Sequence, residues 1–432
     1  MNISVPRLLA ALNDQERGFV ENQINLNTEL GIQWLEKIRR YVSYYNHNLK
    51  KESKRRFGNS YETQLEWYYR ILLKFYERFS EKDNSILNAI FLLDRALPNN
   101  NANRRRTSAK LVKKAVSTLL SKPAEQNHQI STPTLLTHFL HLKDESSLVK
   151  GVIILSPSPY SLFSITILEI CLRLNIKVYK IYILNFTPKR VFSELRRDGF
   201  RLFIKRVWRK LILKSDENNI ETQISLKRLF NELSNNSDIR NLAKSQNILV
   251  ENVDDFSEIS ACKDPDIYTL FTGGGLITQE TLEKLNSKVI NTHMGLLPFY
   301  RGMDVVESPI LDGNFHSVAL NTHLMTNGLD EGPMIQTILF NSDEYMSLAE
   351  LRNEISGLMP IIAIDSLCGL VSQRLQLVPQ DLQLGKQYYF IERRLISMIN
   401  NLMLSRNSLI DVKSKIRIQN KNTFFNFLKI FS

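Results

Sequence analysis

Residues 151–184 read GVIILSPSPYSLFSITILEICLRLNIKVYKIYIL, and this stretch decides the fold. Gly151 to Leu155 is a short, continuous apolar run that stops at Ser156-Pro157-Ser158-Pro159. From Leu162 to Leu174 the apolar residues fall at helical spacing, and Val178 to Leu184 is a second short apolar run. Strand, turn, helix and strand in that order make a right-handed βαβ crossover. Strands that are apolar at every position belong to a parallel sheet covered on both faces. Further runs at Ile267 to Phe271 and Val289 to Asn291 extend the sheet, with Gly273-Gly274-Gly275 ending the first and a helix near Thr278 to Leu285 between them. Residues 148–375 are therefore read as an α/β domain built on a Rossmann-like, mostly parallel sheet. In such sheets ligands lie beyond the carboxyl ends of the strands, where Gly273 to Ile277 and Asn291 to His293 are predicted to fall.

On either side the pattern changes. Residues 1–145 repeat apolar side chains at three-four spacing, in Leu30, Ile32, Trp34, Leu35, Ile38 and Tyr41 and again in Leu65, Tyr68, Tyr69, Leu72, Phe75 and Phe79. This predicts a helical N-terminal domain. Pro98 to Arg106, rich in Asn and Arg, reads as an exposed loop. Residues 376–432 read as a basic, helical C-terminal extension, with Tyr388, Tyr389, Phe390 and Leu395 as a packing stripe.

Composition narrows the function classes. Cys171, Cys262 and Cys368 lie far apart without C-x-x-C spacing, which excludes a disulfide framework and points to thiols in a reducing compartment. The N-terminus lacks a signal-peptide apolar core, and no run of about 18 uncharged apolar residues predicts a membrane span. A cytoplasmic protein is expected. The net charge of +12 is concentrated: residues 1–145 hold 23 Lys and Arg against 15 Asp and Glu, and residues 186–214 hold ten against two. Phe186 to Lys214 also places Phe192, Leu195, Phe203, Val207, Trp208 and Leu211 on one helical face. Basic segments of this kind suit a polyanionic partner, a tRNA, a nucleotide-linked substrate or an anionic membrane face, or else are solvated helix faces.

Chemical content is concentrated in two segments, NTHMGLLPFYRG at 291–302 and GLDEGPMI at 328–335. They set the amide of Asn291, the imidazole of His293 and the carboxylate of Asp330 at strand ends, as an electrophile binder, a proton carrier and an orienter. Gly273 to Gly275 either turns the chain or lets the backbone approach a flat ligand. Ser156 to Tyr160 matches neither a G-x-G-x-x-G fingerprint nor a Walker loop, so dinucleotide and ATP binding gain no support. His138 and His141 lack a third ligand, and no metal is expected.

Asn291-x-His293 leading into Leu297-Pro298 and Arg301-Gly302, followed 37 positions after His293 by Asp330-x-Gly332 and an aliphatic strand, resembles the formyltransferase superfamily. That superfamily includes glycinamide ribonucleotide, methionyl-tRNA and sugar-nucleotide formyltransferases and formyltetrahydrofolate deformylase. The resemblance implies a formyl transfer from 10-formyltetrahydrofolate to an amine, with Asn291, His293 and Asp330 catalytic. It implies a folate site on Gly275, Leu276 and Ile277 and on Thr326, Asn327, Gly328 and Leu329, with His323 and Arg301 toward the acceptor. His323 is alternatively a histidine satisfied within the sheet. Met294-Gly295 replaces the Pro-Ser of many members. The first βα loop lacks the phosphate-binding glycines of the glycinamide ribonucleotide enzymes. The 57 residues after 375 are expected to be too few for a tRNA-binding barrel. The alternatives are a deformylase, which usually carries a βαββαβ domain where this chain reads helical, and a non-catalytic binding protein on the same scaffold. The acceptor and the oligomeric state are left open by these residues.

Overall fold

The computed structural model describes residues 29–45, 48–79, 85–97, 102–121, 141–187, 230–231, 233–275 and 277–407. Helices α1 (Glu29–Tyr45), α2 (Leu49–Phe57), α3 (Tyr61–Phe79), α4 (Ser85–Ala96) and α5 (Ala102–Ser121) form the N-terminal region. The apolar stripe read from the sequence faces inward, since Leu35, Ile38, Tyr41, Leu65, Tyr68, Tyr69 and Leu72 are all buried. The loop expected to run to Arg106 gives way to helix at Ala102. The physical reason is Arg104, which is buried and donates to Glu66 of α3 at 3.0 Å, so that its charge is matched inside the helical layer.

The sheet follows: β1 (Val152–Ser156), β2 (Val178–Leu184), β3 (Leu249–Val253), β4 (Tyr268–Phe271), β5 (Val289–His293), β7 (Val318–Leu324) and β8 (Met334–Phe340). Their order is β3-β2-β1-β4-β5-β7-β8, parallel as far as β5 and antiparallel from β5 through β7 to β8. β1 shows why its run is apolar throughout. Val152 and Ile154 join the core shared with the helices, while Ile153 and Leu155 join a second core on the opposite face. The intervening helices are α6 (Leu142–Ser146), α7 (Leu162–Arg173), α8 (Ile239–Ser245), α9 (Gln279–Lys284), α10 (Glu307–Leu311), α11 (Leu348–Val371) and α12 (Arg393–Asn407). Ser161 caps α7 by accepting from the Ser164 N–H, and Ser347 caps α11 by accepting from that of Glu350. α11 is long and apolar enough to cross a membrane, but 78% of its most apolar window is buried, packed on α7 and the sheet.

A second, two-stranded parallel sheet joins β6 (Tyr300–Gly302) to β9 (Lys386–Tyr388). The C-terminal extension is therefore not helical throughout. Lys-Gln-Tyr carries no apolar pattern, and β9 forms because Tyr300 to Gly302 offer it an edge. Phe192 to Lys214 of the amphipathic segment, His138, and residues 408–432 lie outside the described residues.

The helical region and the sheet share one continuous set of buried apolar side chains. A buried ion pair fastens them. Arg406 of α12 donates to Asp343 at 2.6 and 2.7 Å and to the Leu119 carbonyl of α5 at 3.2 Å, and its guanidinium stacks 3.6 Å from the Phe315 ring. Breaking such a pair leaves an unmatched buried cation, so Asp343→Ala should lower the unfolding free energy by about 3–5 kcal/mol in urea titrations. A loss under about 1 kcal/mol, the range of exposed pairs, would refute this role.

Candidate active site

The parallel-to-antiparallel switch in the sheet creates the site. β5 runs two residues past the end of β4, and β7 returns beside it with Asn291 opposite His323 and His293 opposite Asn321. Asn291 and His293, two apart on one strand, share a face, and His323 stands next to Asn291 on that face. The Asn291 amide donates to His323 Nε2 at 3.1 Å. His323 Nδ1 in turn donates to the Leu324 carbonyl at 2.9 Å, which leaves Nε2 as the acceptor.

The turn from β7 to β8 brings Asp330 over this face. Its Oδ2 lies 3.5 Å from His293 Nδ1 and its Oδ1 lies 3.6 Å from His323 Nε2. The Gly302 N–H donates to Oδ2 at 3.0 Å. His293, Asp330 and His323 are only 8%, 9% and 1% exposed, whereas Asn291 is half-buried and is the accessible member. The second nitrogen of His293, Nε2, donates to the Tyr300 carbonyl at 3.1 Å. That bond fixes the tautomer and makes Nδ1, facing Asp330, the atom that gains and loses a proton.

Burial lowers the His293 pKa below its ordinary 6.5 and outweighs the opposing pull of Asp330. For Asp330, burial raises the pKa, but His293, His323 and the Gly302 N–H together hold it below the usual 3.8. At neutral pH the site therefore holds a neutral imidazole beside an ionised carboxylate. Protonation at Nδ1 would place an imidazolium against that carboxylate.

The other expected site residues fall as follows. Gly275 is exposed, with φ +110° and open space where a Cβ would stand. Ile277 is buried in the second core beneath that turn, and Leu276 lies outside the described residues. Thr326 and Asn327 are exposed and Gly328 and Leu329 half-buried on the way to Asp330. Arg301 is buried and turned to Glu331 at 2.8 Å and to the carbonyls of Gly385 and Leu382 at 3.3 and 3.4 Å, so it braces the Asp330 turn. Among the described residues no group of three His, Cys, Asp or Glu side chains is placed to hold a metal ion.

Sequence reading did not foresee the backbone partners of the site or the glycines that make room for them. Gly302 has φ +104°, and a Cβ there would strike the Tyr388 carbonyl. At Gly332 it would overlap the Leu324 carbonyl. Gly295 is the clearest case, since a Cβ would lie 2.5 Å from both His293 Nε2 and the Tyr300 oxygen. Gly295→Ala should therefore displace the imidazole, shift its NMR resonances and destabilise the fold by about 1–3 kcal/mol. Unshifted His293 resonances would contradict this.

A model of the formyl transferase family matches residues 232–357. The chain is 31% identical over 91 residues to a methionyl-tRNA formyltransferase of Magnetococcus marinus and 33% identical over 103 residues to one of Alkaliphilus metalliredigens. These matches cover 21% and 23% of this chain, and the chain spans only 29% and 32% of the length of those curated relatives. Among solved structures, an N-formyltransferase from Helicobacter canadensis, in complex with folinic acid and dTDP-3-aminofucose, superposes with a TM-score of 0.36 at 14% identity, over 60% of this chain and 80% of that one. The stretch that matches the formyl transferase family model, residues 232–357, carries β3 to β8 and with them Asn291, His293 and Asp330.

Proposed function

We propose that this chain transfers a formyl group from 10-formyltetrahydrofolate to an amine acceptor. The observation that carries the reading is the meeting of Asn291, His293 and Asp330 on one face of the sheet, within a segment of the formyl transferase family. The residues around them suit a flat donor. Phe271, which ends β4, is in register with Asn291, so the exposed backbone of Gly275 follows a few residues from the amide. Thr326 and Asn327 offer a second exposed stretch.

Each residue has a distinct task. The half-buried Asn291 amide, braced by His323, donates to the formyl oxygen as negative charge grows there. His293 Nδ1 takes the proton released by the attacking nitrogen and returns it to the departing one. Asp330, ionised and fixed by the Gly302 N–H, stabilises the imidazolium while it exists. The low water content implied by the burial of His293 and Asp330 strengthens that attraction. The net charge of +12 supports an acceptor amine linked to phosphate groups.

Turnover is tested by mixing the protein with 10-formyltetrahydrofolate and a panel of amines and following tetrahydrofolate release. Release that depends on one amine is expected. Release without any amine would make the chain a hydrolase, and no release at all would defeat the enzymatic reading. Asn291→Ala should reduce kcat about 10²- to 10³-fold by removing one oxyanion donor. Equal rates for variant and wild type would remove Asn291 from the mechanism.

The pH dependence follows from the low pKa of His293. The neutral imidazole is the active form, so kcat/KM should rise with pH through a midpoint below 6.5, with Asp330 ionised throughout. Asp330→Asn removes the influence that raises the imidazole's pKa, so its midpoint should move lower still while the rate falls. A midpoint that moves upward in Asp330→Asn would contradict the assignment.

A further inference from the structure

Asp330 occupies a costly position. Its φ of +55° is in the left-handed region, which an Asp tolerates only at some expense, and among the described residues its carboxylate has a single backbone N–H donor. Something has to hold the turn, and the residue that does so lies outside the family segment. The side-chain amide of Gln380 donates to the Asp330 carbonyl at 3.0 Å and to the Gly332 carbonyl at 2.5 Å. Both N–H groups of one amide thus bracket Glu331. With two carbonyls as partners the amide has only one sensible orientation, because a flip would set oxygen against oxygen.

Gln380 is itself well anchored. Two residues before it, Val378 exchanges both backbone hydrogen bonds with Met334 at 2.8 and 2.9 Å. Beyond it, the Lys386 N–H donates to the Phe299 carbonyl at 3.1 Å as β9 joins β6. The strap 378–388 therefore crosses from the start of β8 to β6, and Gln380 reaches the Asp330 turn between those two fastenings.

We propose that Gln380 is a positioning residue that locks the Asp330-Glu331-Gly332 turn and so keeps the Asp330 carboxylate against His293. The proposal rests on the reading of Asp330 as part of the active site. Loss of the two bonds frees the turn and lets the carboxylate withdraw. Among the described residues, the titratable groups facing His293 are Asp330, from the β7–β8 turn, and His323, from β7. Withdrawal of Asp330 removes the negative charge that favours the imidazolium of His293, which becomes harder to form.

Gln380→Met, similar in length but without donors, and Gln380→Glu, similar in shape with oxygens facing the carbonyls, test this. The imidazole titration of His293 is read by NMR on the full chain, independently of turnover, alongside kcat and KM for the formyl donor. In Gln380→Met the His293 titration should move to lower pH, and kcat should fall about 10- to 100-fold with KM changed less than about twofold. An unmoved His293 titration in either variant that folds overturns the proposal. A shifted titration in a protein whose wild type shows no turnover supports the positioning role and defeats the proposed function instead.

Discussion

A carboxylate nine-tenths buried must be surrounded by groups that stabilise its charge, or it costs several kcal/mol of folding free energy. Asp330 imposes that condition on the whole site. Its nearest partners are two imidazoles at 3.5 and 3.6 Å and one backbone N–H at 3.0 Å. Bringing a backbone N–H so close requires the β6 strand to lie under the turn and Gly302 to pass the Tyr388 carbonyl without a side chain. Turning the chain back toward β8 requires Gly332 to pass the Leu324 carbonyl in the same way. Holding His293 square to the carboxylate requires Gly295 to leave room for the bond from Nε2 to Tyr300. Three glycines therefore answer to one buried charge.

The sheet explains why the side chains meet at all. Had β7 continued the parallel order, its carboxyl end would point the same way as that of β5, and the two strands' functional residues would meet only through loops. Because β7 runs antiparallel, His323, next to last in β7, lies opposite Asn291 at the middle of β5, where the pairing of the two strands sets both side chains. The loop leaving β7 then has only to fold back over the same face to deliver Asp330. The result is an amide and two imidazoles on rigid elements, with the strained Asp330 placed on the turn.

Much of this was legible. The βαβ unit could be read because strands buried on both faces are apolar at every position, and β2 runs over the residues expected, Val178 to Leu184. The Asn-x-His and Asp-x-Gly segments could be read because they concentrate polar side chains at strand ends. What could not be read depends on distant partners. Arg104 reads as a loop residue in the sequence, because its partner Glu66, which gives its charge a place in the helical layer, is 38 positions away. Arg301 has the chemistry of an anion binder, but Glu331 and two carbonyls occupy it. Gln380 sits in a stretch with no periodicity, and its importance comes from two backbone oxygens that no sequence pattern marks.

These partners also bear on what the helical region contributes. Asn88 of α4 donates to the Phe390 carbonyl at 3.0 Å and accepts from the Glu392 N–H at 2.8 Å, while Arg39 of α1 donates to the Gln387 carbonyl at 3.1 Å. The end of the strap and the residues just after it also reach the site side, where the Met303 N–H donates to the Tyr388 carbonyl at 3.2 Å and that of Ile391 to Asp304 at 2.8 Å. The helices thus grip one edge of the strap and β6 grips the other. A segment ending at residue 357 would contain Asn291, His293 and Asp330 but neither Gln380 nor the strand that pairs with Gly302. The reacting groups come from one stretch of sequence and their alignment from another, so substitutions in the helices that shift residues 387–392 act on Asp330 through Gly302 without touching it.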